Sequence, residues 1–410
     1  MIKFYKILFP IFFIPVILVL SIFSKKIRAG MKQKLGFYDF QMDKKTFWVH
    51  AVSVGEINSL TDFIKENKDK NIVLTTSTPQ GFELANKKLI DYVEAICYFP
   101  LDTDFAINNA ICAINPKFVM IFETEIWPNF SYILNKKNIP LFISNGRISD
   151  ATFNSYKKLK FFLKGVFSCF SGILAQSVED REKFIEIGAK PELVEVMGNI
   201  KFDIKTPDKN IQEELKKYYK IGESPVVVVG STHPDEEEIY INLFKKLQKD
   251  QNVKFLIAPR HLERVGAISA LLEKNNINFA LKSSGKTFED VDVIVLDTTG
   301  ELANVYSISK FSIIAGSFDS TGGHNPLEAT IWGVPAISGP NIKNFKVIYK
   351  ELTKANSARV VASEAELYEI SKKLIEDSDF CSKMQLNSAK TIAENSGATK
   401  YLENYIDNFT

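Results

Sequence analysis

Glu56 stands where chemistry is useful, because it follows WVHAVSVG, a β-branched run that gives way to a helical one. A carboxylate there can act as a general base if it reaches an acceptor hydroxyl, and a helix N-terminus favours its ionised form. Read more plainly, the same glutamate is a partner for the helix dipole. Glu123 and Glu125 follow a second such run in FETEIWPN, an arrangement that can turn one towards a cleft and the other towards solvent. Lys201, in GNIKFD, precedes a change in the chain's pattern; a cation there can face both halves of the protein or simply stay solvated.

The densest run of special residues is GSFDSTGGHNPLEATIWGVPAISGP, from Gly316 to Pro340. Gly322 and Gly323 allow a close backbone approach, with Asn325 placed as a helix cap and Pro326 as the first helical residue. Such a helix start offers amides to a phosphate while Glu328 reaches a ribose; a tight turn with a dipole-stabilising glutamate is the alternative. Arg260, in APRH, presents either a bidentate cation to phosphate or a surface salt bridge. Gly230, Ser231 and Thr232 are small enough to admit a ligand, and DTTGEL, Asp297 to Leu302, reads as a strand-end loop with Gly300 and Glu301 at a helix start. Asp102–Asp104 and Asp290–Asp292 match the D-x-D pattern with which some sugar transferases hold a metal, although a turn or cap accounts for either.

These residues need a scaffold, and 410 residues exceed what one hydrophobic core usually supports, so two domains are expected. From Thr46 onward FWVHAV, NIVLTT, AICYF, FVMIFE, PLFIS, GILAQ and VEVMG read as buried parallel strands alternating with helices. The pattern lapses in a charged connection at 205–224 and restarts with VVVVG, KFLIAPR, VIVLD, FSIIAG and PAISG. That alternation predicts two doubly wound α/β domains, an N-terminal one over 26–204 and a C-terminal one over 225–410, with ligands at the strands' carboxyl ends. Neither G-x-G-x-x-G after a first strand nor a P-loop is present, so dehydrogenase and P-loop chemistry lose their usual support. Fifty-one basic against 49 acidic residues leave +2, too little to expect a nucleic-acid partner. The four cysteines and four histidines show no metal-ligand spacing, so neither metal nor cofactor is expected.

The N-terminus differs from all this. Ile7 to Phe23 carry no charge over roughly 17 residues, just short of the ~20 that cross a bilayer, and Lys25, Lys26, Arg28, Lys32 and Lys34 follow. Residues 1–25 are expected to be a membrane anchor, with a cleaved signal or a buried core helix as alternatives. Pro10 and Pro15 favour insertion over a full span, and the basic cluster puts the body on the cytoplasmic side of the membrane.

Taken in order, WVHAVSVGE, FETEIWPN, SNGRIS, GNIKFD, GSTHPDEE, APRHLER, DTTGEL and GGHNPLEA resemble the motifs of Kdo transferases, the 3-deoxy-D-manno-octulosonic acid transferases of lipopolysaccharide assembly. The resemblance runs from about Trp48 to about Phe345 and includes the anchor. It implies a type-B glycosyltransferase fold, two Rossmann-like domains facing a cleft, with CMP-Kdo as donor and a phosphorylated tetraacyl lipid A precursor as acceptor. It also implies Glu56 as general base, Glu123 and Lys201 as transition-state stabilisers, and CMP against Pro259, Arg260, Thr299, Gly300, Glu301, Asn325, Pro326, Leu327 and Glu328. Thr299, where the family often has Met, and SFDSTGG before His324 are local departures. A UDP-sugar transferase of the same fold and a non-catalytic nucleotide-sugar-binding membrane protein remain the alternatives.

Overall fold

The computed structural model describes residues 2–204 and 208–409, and its contacts divide the chain into two units. One comprises Met1–Asp203 with Ser396–Thr410, the other Ile204–Asn395. The first holds β1 (Thr46–His50), β2 (Ile72–Thr76), β3 (Ala95–Tyr98), β4 (Pro116–Phe122), β5 (Leu141–Gly146), β6 (Gly172–Ala175) and β7 (Val194–Val196). All pairs are parallel, in the order β3-β2-β1-β4-β5-β6-β7. Both faces are covered. Along β4, Val119 and Ile121 join one core with Trp48, Ile107 and Phe130, while Phe118, Met120 and Phe122 join another with Val49, Phe63 and Leu74. The period of two thus runs through continuously apolar strands.

Five helices in this unit start at a Ser or Thr that follows a strand. Ser53, Thr78, Thr103, Ser149 and Ser177 each accept a hydrogen bond from a first-turn backbone N–H. The unit closes with the helix Ala398–Asp407, whose Leu402 and Ile406 are fully buried against the Phe118 side of the sheet. Asp203 fixes its start by accepting the Gly397 N–H at 2.6 Å and that of Thr399. The sequence expectation of a second domain running from 225 to 410 is therefore corrected, since the last helix packs into the first unit.

The second unit holds β8 (Val226–Thr232), β9 (Lys254–Pro259), β10 (Phe279–Leu281), β11 (Val293–Val295), β12 (Phe311–Ile314), β13 (Ala336–Ser338) and β14 (Ala358–Val360). These are again all parallel, in the order β10-β11-β9-β8-β12-β13-β14. The expected connection also differs from what forms. Residues 205–207 lie outside the described residues, and Lys209–Tyr218 is a helix of this unit that leads into the fully buried Tyr219.

The N-terminal segment forms the helix Ile2–Phe23, running through Pro10 and Pro15. Among the described residues no helix is long and apolar enough to cross a membrane. The helix start is held to the first unit: Lys6 Nζ lies 2.9 Å from Asp104, and the Tyr5 ring lies 6.1 Å from that of Phe162. Further along, Phe12, Phe13, Val16, Leu20 and Phe23 are exposed.

Candidate functional site

In an open α/β sheet, the carboxyl ends of two strands whose connections run in opposite directions leave a crevice between their loops. In the first unit that switch point lies between β1 and β4, where His50 is in register with Ile121. The loops that follow carry Glu56 and Glu123. They open a recess of about 220 Å³ lined by Glu56, Glu123, Glu125, Arg147, Ser149 and Thr152.

Glu56 lies in the first turn of the helix Val54–Glu66, with Ser53 as its cap. Its two oxygens accept the Val52 N–H at 2.7 Å and the Ser53 hydroxyl at 2.8 Å, so it closes the turn that leads into the helix. The dipole-partner reading and the chemical reading therefore describe one side chain. The expectation that a helix start keeps this carboxyl readily ionised is corrected: burial, with Glu123 and Glu125 nearby, raises its pKa to about 7.

Glu123 adopts φ +60°, a left-handed conformation that an ordinary side chain reaches only at a cost. Its carboxylate pairs with Lys201 Nζ at 2.9 Å. Lys201 lies in the short turn Ile200–Phe202, where the Asn145 side chain accepts the Ile200 N–H at 3.1 Å. Asn145 thus ties the end of β5 to the lysine loop. Both carboxylates of the pair line the recess, rather than one facing a cleft and the other solvent, and Glu125 accepts the Trp127 indole N–H at 2.9 Å. Two further residues emerge that spacing alone did not single out. Buried His50 stacks on Phe99 at 3.9 Å and brings Nε2 to 3.5 Å from Glu125. Arg147 is the cation of the recess lining, and its guanidinium forms no ion pair among the described residues.

Asp102, read as half of a D-x-D pair, is buried and accepts the Asn129 and Phe130 N–H groups at 3.1 and 2.7 Å. Asp104 pairs with Lys6. Capping and packing account for both.

In the second unit the switch point lies between β8 and β12. Pro259 ends β9 and Arg260 follows, its N–H bonded to Thr232 O at 3.1 Å. The Arg260 charge opposes the burial that raises the Glu328 carboxyl, so these two expected nucleotide residues are electrostatic neighbours. The segment after Pro326 is a helix of only four residues, Leu327–Thr330, and Asn325 accepts the Leu327 N–H at 3.1 Å. Leu327 is a core side chain, leaving only its backbone for a ligand. Thr299 and Gly300 are exposed beyond β11, with φ +82° at Gly300, whereas Glu301 is committed to Lys282 at 2.9 Å. Gly230 serves a different purpose from the one expected, because a Cβ there would lie 1.8 Å from the Tyr306 hydroxyl; the glycine makes room for tyrosine. Glu236, hidden in the acidic run after His233, is fully buried and accepts N–H groups of Gly316, Ser317 and Phe318 and the Tyr240 hydroxyl.

Residues 29–204 match the family described as 3-Deoxy-D-manno-octulosonic-acid transferase (kdotransferase). Over 361 residues the chain is 32% identical to the 3-deoxy-D-manno-octulosonic acid transferase of Haemophilus influenzae, covering 86% of this chain and 84% of that one. The chain belongs to the 3-deoxy-D-manno-octulosonic acid transferase family. Membership makes it a glycosyltransferase. It is also 35% identical over 341 residues to a bifunctional glycosyltransferase/methyltransferase of Fusobacterium nucleatum; the match covers 80% of this chain and spans about half of that protein, 52%. Among solved structures, a putative UDP-N-acetylglucosamine 2-epimerase from Listeria monocytogenes shares the fold at 12% identity and TM-score 0.53, over 90% of this chain and 97% of that one.

Proposed function

We propose that this family member transfers Kdo from CMP-Kdo to a phosphorylated tetraacyl lipid A precursor by a single inverting displacement. The observation that carries the reading is the Glu56 carboxyl, raised to about 7, in a recess shared with Glu123, which pairs with Lys201. A base poised near the working pH is half ionised and still basic enough to take a proton from a sugar hydroxyl. That hydroxyl oxygen attacks the anomeric carbon of Kdo as the bond to CMP breaks, its electron pair leaving on the phosphate oxygen. Lys201 and Arg260 are the cations suited to the charge that develops. Arg147, without an ion pair among the described residues and beside three glutamates in the recess, suits a phosphate on the acceptor.

The nucleotide is assigned to the second unit, with Arg260, Asn325 and Glu328 as its closest polar contacts and Pro259, Thr299, Gly300, Glu301, Pro326 and Leu327 around it. Attachment at the cytoplasmic face of the inner membrane is supported by the exposed apolar side chains of Ile2–Phe23 and the basic residues that follow. Incubation with CMP-Kdo and lipid A precursor, followed by mass analysis, tests the reading: product gaining the mass of Kdo, with inhibition by CMP and not by UDP, is expected. Inhibition by UDP alone would point to a UDP-sugar donor, and CMP binding without any turnover to a binding protein.

A further inference from the structure

Three of the chain's four histidines converge at the switch point of the second unit, on loops from three adjacent strands. His233 follows β8, His261 follows β9 and His324 lies in the loop after β12. The Nε2 atoms of His233 and His324 are 2.9 Å apart with nearly parallel rings, so one imidazole donates and the other accepts. The His261 ring stands edge-on to His233 at 6.1 Å, and Arg260, which forms no ion pair among the described residues, adds its charge to the same place.

The chain is shaped to bring these rings in. Gly316 has φ +68°, and a Cβ there would come within 2.8 Å of the His324 ring. Buried Glu236 holds both sides, accepting the His233 N–H at 3.2 Å and the N–H groups of residues 316–318. Beside them the Thr232 hydroxyl is buried without a hydrogen-bond partner among the described residues.

The cluster has little counter-charge of its own. Asp319 lies 4.0 Å from His233 Nδ1, and its two oxygens already accept the Thr321 N–H and hydroxyl at 2.9 and 2.6 Å. Burial, followed by the charges of His233, Arg260 and His261, lowers the His324 pKa to about 4. Three imidazoles and a guanidinium beside a single carboxylate that is already engaged make a ready place for an added anion.

We infer that His233 and His324, flanked by Arg260 and His261, form a seat for an oxyanion of the donor beyond its nucleoside, either phosphate or the carboxylate of an acid sugar. The inference rests on the sugar-nucleotide reading above and adds to it the group that these histidines hold. Neutral His324 can donate or accept one hydrogen bond, and an arriving oxyanion favours its protonated form.

The test follows histidine ring signals by NMR on the full chain, with the four histidines assigned by single His→Gln substitutions. Inorganic phosphate, CMP and free 3-deoxy-D-manno-octulosonate are added separately. At least one should raise the His324 pKa by about one to three units, as an opposite charge at close range does. A response to phosphate and CMP identifies the phosphate as occupant; a response to the sugar acid alone identifies the carboxylate. His324→Gln, shown folded by near-ultraviolet circular dichroism, should weaken binding of the responding probe by about tenfold, the loss of one charge-assisted hydrogen bond. CMP binding with unmoved histidines, together with silence towards phosphate and the sugar acid, would overturn the seat and leave the transferase reading intact. A His324 response to phosphate in a protein that does not bind CMP would do the reverse.

Discussion

At the scale of single residues, Glu56 joins a structural role to the chemical one proposed for it, and that combination has a measurable signature. Its carboxyl is raised to about 7 from an ordinary value near 4.5, so the folded chain binds this proton more tightly than the unfolded chain does. The stability it contributes is present in full below the unfolded value and is lost as pH rises through 7. A shift of this size corresponds to at most ~3 kcal/mol. We therefore predict that Glu56→Gln unfolds at a higher temperature than the native protein at pH 8, and that the difference shrinks as pH falls and vanishes only below the unfolded value near 4.5. Turnover should move the other way, with kcat/KM of the native enzyme falling about tenfold per pH unit below 7. Sequence pattern sufficed to place Glu56, Glu123 and Lys201 among the candidates. The direction of the Glu56 shift was not legible, because it comes from burial and from Glu123 and Glu125, which tertiary structure alone brings close. Arg147 and Glu236 were hidden for a related reason: a charged residue in a polar run looks solvated until packing shows one lining a recess and the other fully buried.

At the scale of elements, the alternation of apolar runs and helices foretold twelve of the fourteen strands. The two it missed, β10 and β14, are three-residue edge strands, partly exposed and too short to carry a period. Strand order was not legible either, and order decides which loops meet. The switch points bring the loop after β1 to that after β4, and the loop after β8 to that after β12. One link in this arrangement is Asn145, left-handed at φ +54° at the end of β5, whose side chain holds the backbone of the Lys201 turn. Asn145→Ala should cost about 1–3 kcal/mol in denaturant unfolding, the price of an unpaired buried N–H. It should also lower kcat while leaving CMP affinity unchanged, as Lys201→Ala should; a kcat equal to the native value would show that the turn needs no such tie. In the other unit, Glu328→Ala should weaken CMP binding by roughly 1–3 kcal/mol in calorimetric titration, without the kcat loss expected of the first unit's residues.

At the scale of the whole molecule, the chain leaves the first unit at Asp203 and returns to it at Ser396. No composition shift marks the return, so the sequence pattern assigned the last helix to the wrong unit. Removing 396–410 should destabilise the first unit by several kcal/mol, since Leu402 and Ile406 each contribute about 1.5–3 kcal/mol through burial and Phe409 stacks on Phe142. Removing residues 1–24 should leave both sheets folded by circular dichroism, because the strands begin at Thr46. The chemistry proposed for this transferase turns on Glu56 as the base that activates the acceptor of Kdo. Its most direct test is the mass-detected turnover of CMP-Kdo and lipid A precursor by the native enzyme and by Glu56→Gln, with CMP affinity measured on both. Turnover should fall by about 10²-fold or more in Glu56→Gln with CMP affinity unchanged; near-native turnover by Glu56→Gln would rule out this role for the carboxyl.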